Sequence, residues 1–328
     1  MTLGISFDDP VLEERVRAGV DAVEERLAQA VDSPEPFVAE AAAHLMNAGG
    51  KRFRPLLVML AAQFGDPDHA DVVPAAVVVE LTHLATLYHD DVMDEAALRR
   101  GAPSANDRWG NSLAILVGDF LFAQASDLVA DLGTEAVRIQ ARTFSRLVRG
   151  QIRETIGPAE GEDPLAHYLD VVADKTGSLI ATSARFGARM SGAGDRVEEA
   201  LTEFGERIGV AFQLSDDVLD IASDPEESGK TPGTDLREGV PTLPTLLARR
   251  SEAAADERLR SLLAGPITAD DEVAEAVQAL RSHPAMEEAR AHVQAEADAA
   301  RALLADLPDV PARAALAALC DAVATRLG

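Results

Sequence analysis

The residues Asp90-Asp91-Val92-Met93-Asp94 set three carboxylates on an otherwise apolar segment. In a helix, Asp90 and Asp94 share one face, separated by roughly 6 Å of rise. Carboxylates so placed repel one another unless a cation sits between them. The pattern recurs at Asp216-Asp217-Val218-Leu219-Asp220, again closing an apolar run, Val210 to Leu214. One such pentad is a weak signal, but two on apolar helices suggest opposed walls of one site. Cations complement them. The chain has 30 Lys plus Arg, yet the only lysines are Lys51, Lys175 and Lys230. Where a surface charge has drifted to arginine, a retained lysine marks a position that uses a compact ammonium.

Oxygen donors in this pattern suit magnesium, which takes one or two protein carboxylates and completes its shell with phosphate oxygens and water. Neither pentad has Cys or His at ligand spacing apart from His89, which argues against zinc. Magnesium on both pentads would hold a diphosphate, with lysines and arginines neutralising the remaining charge. Apolar helices would shelter a hydrocarbon chain and a cation from water. There is no Ser-His-Asp set, Walker-type loop or dinucleotide fingerprint.

The elements that must position these groups are helices. Apolar residues at Val11, Val16, Val20, Val23 and Leu27 have helical spacing. A second helix, from about Phe37 to Met46, ends at Asn47-Ala48-Gly49-Gly50. Lys51-Arg52-Phe53-Arg54-Pro55 then opens an apolar helix. Backbone N–H groups and basic side chains converge there, as at an anion site. Pro74 begins the long helix of the first pentad, and Arg99 and Arg100 follow in a Gly/Pro loop. They stand too far past Asp94 to pair along a helix face, and are expected to reach an oxyanion instead. Asp119, alone on the apolar helix 112–125, reads as a packing or capping group.

Further helices are expected over 134–156, from Asp163-Pro164 to about Met190, and over 195–221. Gly177, after Lys175-Thr176, costs about 1 kcal/mol against alanine in mid-helix, so a break there is expected. Gln213 should share the face of Asp216. The Gly/Pro-rich stretch 223–241 reads as a flap. From Thr242 the pattern is alanine-rich helical hairpins. No strand, repeat or low-complexity tract is evident, and the expectation is one all-α domain over 1–328.

The apolar fraction, 47%, is ample for a core, and aromatics at 4% favour tight helix packing over sheets. A formal net charge of -26 disfavours nucleic acid and anionic membrane as partners. The single cysteine, Cys320, forbids an intrachain disulfide. Residues 1–10 lack a basic and an apolar region, so no secretory signal is expected there. No apolar run is expected to approach the ~18 residues of a spanning helix, the stretch from Val72 to Tyr88 being interrupted by Glu80 and His83. A cytoplasmic protein with no stable membrane anchor is expected.

Taken together, Gly49-Gly-Lys-Arg-Phe-Arg-Pro55, His83 through Asp94 to Arg99-Arg-Gly101, Lys175-Thr176, Gln213 through Asp220 and Gly229-Lys230 form a specific set in a specific order. Over nearly its whole length the chain resembles the trans-type prenyl diphosphate synthases of the polyprenyl synthetase family. All three lysines fall inside the matching motifs. The resemblance implies an all-α isoprenoid synthase bundle of about ten or more helices around a central cavity, usually a homodimer. It implies Asp90, Asp94 and Asp216 as magnesium ligands, with Asp91, Asp217 and Asp220 as supporting or water-mediated ligands, for about three ions bound with the allylic diphosphate. Lys51, Arg54, His83 and Arg100 resemble the pocket for isopentenyl diphosphate. Arg99, Lys175, Gln213 and Lys230 resemble the groups that hold the allylic diphosphate, with Thr176 near the reacting carbon. The implied reaction ionises the allylic diphosphate, and the isopentenyl double bond attacks the carbocation. A proton is then lost to the released diphosphate, so no side chain need act as the base. The catalytic set carried over is Asp90, Asp94, Lys175, Thr176, Asp216 and Lys230. One departure is Val240, where many members have a lysine after the glycine that here is Gly239; it weakens one flap contact and removes no metal ligand.

Product length follows from the floor one turn back from Asp90. Ala85 and Thr86 are small there, and Tyr88 lies off that face by spacing. A small floor leaves volume for more CH₂ groups, so a product of ~C30 or longer is expected. Deeper residues such as Ile115 or Phe122 could still close the tunnel. The rival readings are a short-chain C15–C20 synthase, a class I terpene cyclase and a regulatory subunit. A cyclase needs no second diphosphate pocket, so Lys51, Arg54 and Arg100 argue against it. A regulatory subunit would be expected to lose aspartates, and all six are present.

Overall fold

A computed structural model describes residues 7–223 and 232–326. Those residues are almost entirely helical. Helix α1 (Pro10–Ala30) is started by Asp9, whose Oδ1 accepts from Val11 N at 2.8 Å and Leu12 N at 3.0 Å. Next come α2 (Pro36–Asn47), α3 (Phe53–Ala62) and α4 (Val72–Met93). The two-residue strands Leu98–Arg99 and Ala102–Pro103 pair antiparallel. They form a hairpin where the sequence reading had only loop. Then follow α5 (Ala105–Trp109), α6 (Asn111–Asp131), α7 (Thr134–Ile156) and α8 (Pro164–Val172). A π-helical turn, Ala173–Gly177, joins α8 to α9 (Ser178–Met190). Helix α10 (Asp195–Ala222) is the longest. The rest of the chain forms α11 (Thr234–Glu238), α12 (Leu243–Arg249), α13 (Glu257–Leu262), α14 (Asp270–Ser282), α15 (Pro284–Leu303) and α16 (Pro311–Thr325). Part of the expected flap, 224–231, lies outside the described residues.

The described chain forms two compact units. One comprises 7–145, 179–205 and 306–316, the other 146–178, 206–223, 232–305 and 317–326. In the first unit α4 packs most extensively on α6. A Cβ on Gly118 would stand 2.3 Å from His89 Nε2, so the glycine leaves the room that the His89 ring occupies. His89 Nε2 lies 3.1 Å from Ile115 O and 3.5 Å from Asp119 Oδ1; Asp119 is exposed, so it reaches His89 from the surface and is not the packing or capping group expected. In the second unit a Cβ on Gly150 of α7 would meet Lys175 N at 2.7 Å. That glycine lets the π-turn sit against α7.

Two helices, Val72–Met93 and Asn111–Asp131, are in fact long and apolar enough to cross a membrane. The sequence reading denied this because it took each charged residue as an interruption. In α4 those polar groups are absorbed internally: Glu80 pairs with Arg52, and Thr82 Oγ1 donates to Val78 O at 2.8 Å. Helix α4 is therefore a core helix, whereas only about a third of the apolar stretch of α6 is buried.

Candidate active site

In the first unit α4 carries Glu80, His83, Asp90 and Asp91, and Asp94 caps its end. Asp90 is half-buried and Asp94 exposed, while Asp91 is fully buried. Arg99 folds back from the hairpin. Its Nε donates to Asp91 Oδ1 at 2.5 Å, and its Nη2 lies 3.8 Å from Asp94 Oδ2. The pairing that helix spacing forbade is made through the turn instead, with Arg100 at φ 55° and Gly101 at φ 79°. Burial raises the Asp91 carboxyl above its usual range even though Arg99 pulls it down.

The basic knot lies in the same unit. Arg52, in the left-handed region at φ 47°, precedes α3. Its guanidinium joins three helices: it binds Glu24 of α1, donates to Met46 O at 3.1 Å, and reaches Glu80 Oε1 at 3.0 Å. Arg52 and Glu80 are thus the frame of the knot. The sequence reading gave neither a role, although a carboxylate within an apolar helix signals a buried partner. Arg100 Nη1 donates to Leu45 O at 2.9 Å and also to Gly49 O, which ties the hairpin to the glycine loop. Arg54 Nε is buried with no hydrogen-bond partner. Burial, then repulsion from Arg100, pushes the Arg54 guanidinium down to about 10. His83 is held well below its ordinary value by burial and by Arg54, Arg100, Arg52 and Arg99, so its ring is neutral near pH 7. Lys51 is exposed at the mouth of the knot. Crowded, desolvated cations with an unused buried donor make a cradle for an anion.

In the second unit α10 carries Gln213, Asp216, Asp217 and Asp220. Asp216 is ion-paired with Arg326 Nη2 at 2.7 Å, and that guanidinium lies 4.9 Å from the centre of the Phe212 ring. Asp217 is buried and accepts from the Tyr168 hydroxyl, from Gln213 Nε2 at 3.0 Å and from Leu243 N at 3.4 Å. Burial pushes its carboxyl up to about 6, against the pull of these donors. Gln213 thus partners Asp217, one turn on along α10. Asp220 accepts from Thr234 N and Asp235 N at 3.3 and 3.4 Å, anchoring α11. Thr176 Oγ1 donates to Gln213 Oε1 at 3.2 Å, and Lys175 Nζ donates to Glu154 Oε2 at 2.5 Å. The expected mid-helix break is the π-turn, which lets Lys175 and Thr176 leave the helical ladder. Lys230 lies outside the described residues.

Around the expected product floor, Ala85 and Thr86 are buried and small. Tyr88 is off that face, as expected: it accepts from Leu45 N at 3.3 Å and donates to Ala41 O at 2.5 Å. Phe122 stacks on Phe144 at 4.3 Å. Ile115, seven residues before Phe122 on the same helix, is 42% exposed.

The acidic sites offer carboxylate oxygens only, which fits a hard divalent cation. Among the described residues no three His, Cys, Asp or Glu side chains gather closely enough to hold a metal by themselves.

Residues 35–280 match the family model for polyprenyl synthetase. The nonaprenyl diphosphate synthase of Mycobacterium tuberculosis is 53% identical over 326 residues, covering 99% of this chain and 97% of that protein. The geranylgeranyl pyrophosphate synthase of Corynebacterium glutamicum, solved with calcium and isoprenyl diphosphate, superposes with a TM-score of 0.89 at 46% identity, covering 99% and 100% of the two chains. A decaprenyl diphosphate synthase from Rhodobacter capsulatus superposes at 0.88 with 33% identity, covering 97% and 98%. The fold is therefore the all-α isoprenoid synthase bundle, and the chain belongs to the polyprenyl synthetase family of prenyltransferases.

Proposed function

We propose that the chain condenses isopentenyl diphosphate with an allylic diphosphate, using magnesium, to make a trans-polyprenyl diphosphate of ~C30 or longer, the length resting on the small floor at Ala85 and Thr86. The observation that carries the choice of reaction is the anion cradle of Arg54, Arg100 and neutral His83, with Lys51 at its mouth. A terpene cyclase has no use for such a second anion pocket. Family membership of the chain over 35–280, which includes residues of both units, supports a single working domain over 1–328.

The similarity to the nonaprenyl synthase at 53% identity and to the decaprenyl synthase structure supports a medium to long chain. The small side chains of Ala85 and Thr86 behind Asp90 favour the longer product.

Asp90, Asp94 and Asp216 are the ligands assigned to magnesium, about three ions in all by family resemblance, with Asp91, Asp217 and Asp220 in support. The metal, when bound, neutralises the allylic diphosphate so that it can leave. By family resemblance Lys175, Arg99, Gln213 and Lys230 are assigned to that diphosphate and Thr176 to the carbon that ionises. The knot holds isopentenyl diphosphate by its phosphates and leaves its double bond to attack. Buried Asp91 and Asp217 act by holding Arg99 and Gln213 in place. The net charge of -26 and the lone buried Cys320 suit the cytoplasm, where we place the enzyme.

A homodimer is part of the proposal. The outward side of α6 exposes Leu113, Ile115 and Leu116 at 36%, 42% and 61%. A second copy presenting the same apolar residues is the occupant we assign to them.

The deciding experiment supplies purified protein and magnesium with isopentenyl diphosphate and a C10, C15 or C20 starter, followed by mass analysis. Products of C30 or more are expected. Turnover of an allylic diphosphate without isopentenyl diphosphate would make it a cyclase, and products ending at C15 or C20 would overturn the length.

A further inference from the structure

Tyr168 belongs to none of the motifs that carry the family resemblance, yet its hydroxyl donates to the second aspartate cluster, at Asp217 Oδ2. The other oxygen of Asp217 accepts from Gln213 Nε2 at 3.0 Å. A carboxylate accepts only, so the Gln213 amide must turn its NH₂ toward Asp217 and its oxygen away. That oxygen accepts from Thr176 Oγ1 at 3.2 Å. The run Tyr168, Asp217, Gln213, Thr176 is thus polarised in one sense. Its last member spends its hydrogen on Gln213 and keeps only lone pairs for whatever lies on its other side.

We propose that Tyr168 is a positioning residue for the allylic half of the reaction, fixing the amide of Gln213 and the hydroxyl of Thr176 through Asp217. The inference rests on the reading of Gln213 and Thr176 as allylic-site groups. Without the Tyr168 hydroxyl, Asp217 loses one of its three donors, and the Gln213 amide is free to flip. A flipped amide presents NH₂ to Thr176, which then turns its hydrogen outward. A lone pair beside a developing carbocation favours the transition state, and an O–H hydrogen there opposes it. The effect should therefore fall on turnover and on the allylic substrate, and spare the isopentenyl pocket.

The test compares Tyr168→Phe, Gln213→Ala and the double variant. Tyr168→Phe should lower kcat by tenfold or more and raise the allylic KM severalfold, with the isopentenyl KM within twofold of wild type. The double variant should be no worse than Gln213→Ala alone, because both act through one amide. If Gln213→Ala harms the allylic parameters and Tyr168→Phe does not, or if their effects multiply, the positioning role is overturned. If Gln213→Ala itself leaves the allylic parameters untouched, the reading of the allylic site fails instead. A second readout needs no variant at residue 168. The chain has two tyrosines, so 3-fluorotyrosine labelling yields two ¹⁹F resonances, assigned by Tyr88→Phe. Magnesium with an allylic diphosphate should shift the Tyr168 resonance, and isopentenyl diphosphate alone should not. A Tyr168 resonance unmoved by the allylic diphosphate would also overturn the proposal.

Discussion

Arg99 donates from Nε to Asp91 Oδ1 at 2.5 Å, and the Asp91 side chain is wholly shielded from solvent. The middle aspartate of the first pentad is thereby an internal anchor for an arginine. Removing the arginine strands a buried carboxylate, so Arg99→Gln should cost about 3 kcal/mol of stability. Arg99→Gln with Asp91→Asn should recover most of that in thermal unfolding, because the stranded charge is gone. Turnover should stay low in both. Equal recovery of stability and turnover would show that the pair serves only the fold.

Arg54 should show opposite signs in binding and in folding. Its guanidinium is desolvated, repelled by Arg100 and pushed down to about 10, and its Nε has no partner. Arg54→Gln relieves that cost, so the melting temperature should hold or rise. The KM for isopentenyl diphosphate should rise about 10- to 100-fold, as for a lost charged hydrogen bond. A variant that loses stability and leaves the KM unchanged would remove Arg54 from the pocket.

Ala85→Phe fills the space one turn behind Asp90. Overpacking should cost about 1–3 kcal/mol, and the product spectrum should fall to C15–C20. Mass analysis checks it, and an unaltered product length would move the floor elsewhere.

Leu116, 61% exposed on α6, is the most open of the three apolar residues on that face. Leu116→Glu should drive the protein toward monomer in light scattering with little change in the unfolding of the isolated chain. A dimer of undiminished affinity would exclude α6 from the interface.

Cys320 is 1% exposed, and burial pushes its thiol up to about 12 from an ordinary 9.0. The native protein should resist thiol reagents at pH 8 and react only once unfolded. The folded state holds this proton more tightly than the unfolded state. Its contribution to stability is therefore complete below pH 9 and is lost as pH rises from 9 to 12, on the order of 4 kcal/mol in all. Cys320→Ala should flatten the alkaline stability slope, measured by urea unfolding. Rapid labelling of native protein would contradict the burial.

The expected helices at 134–156 and 195–221 are found as Thr134–Ile156 and Asp195–Ala222, because their period, caps and breakers act over a few residues. Both pentads, the glycine loop and the three lysines were legible for the same reason, since a charge inside an apolar run is conspicuous by itself. The partners of those charges were not. Tyr168 stands 49 residues from Asp217 and Arg326 stands 110 from Asp216, and no periodicity links positions so distant. The strand pair that returns Arg99 to Asp91 is two residues long, below any pattern that alternation could reveal. Sequence alone thus determined which chemistry this chain carries, because that depends on residue type and local spacing. Only the tertiary structure decided which aspartates face solvent and which are buried anchors, because burial and hydrogen-bond pairing are set by residues far apart in the chain.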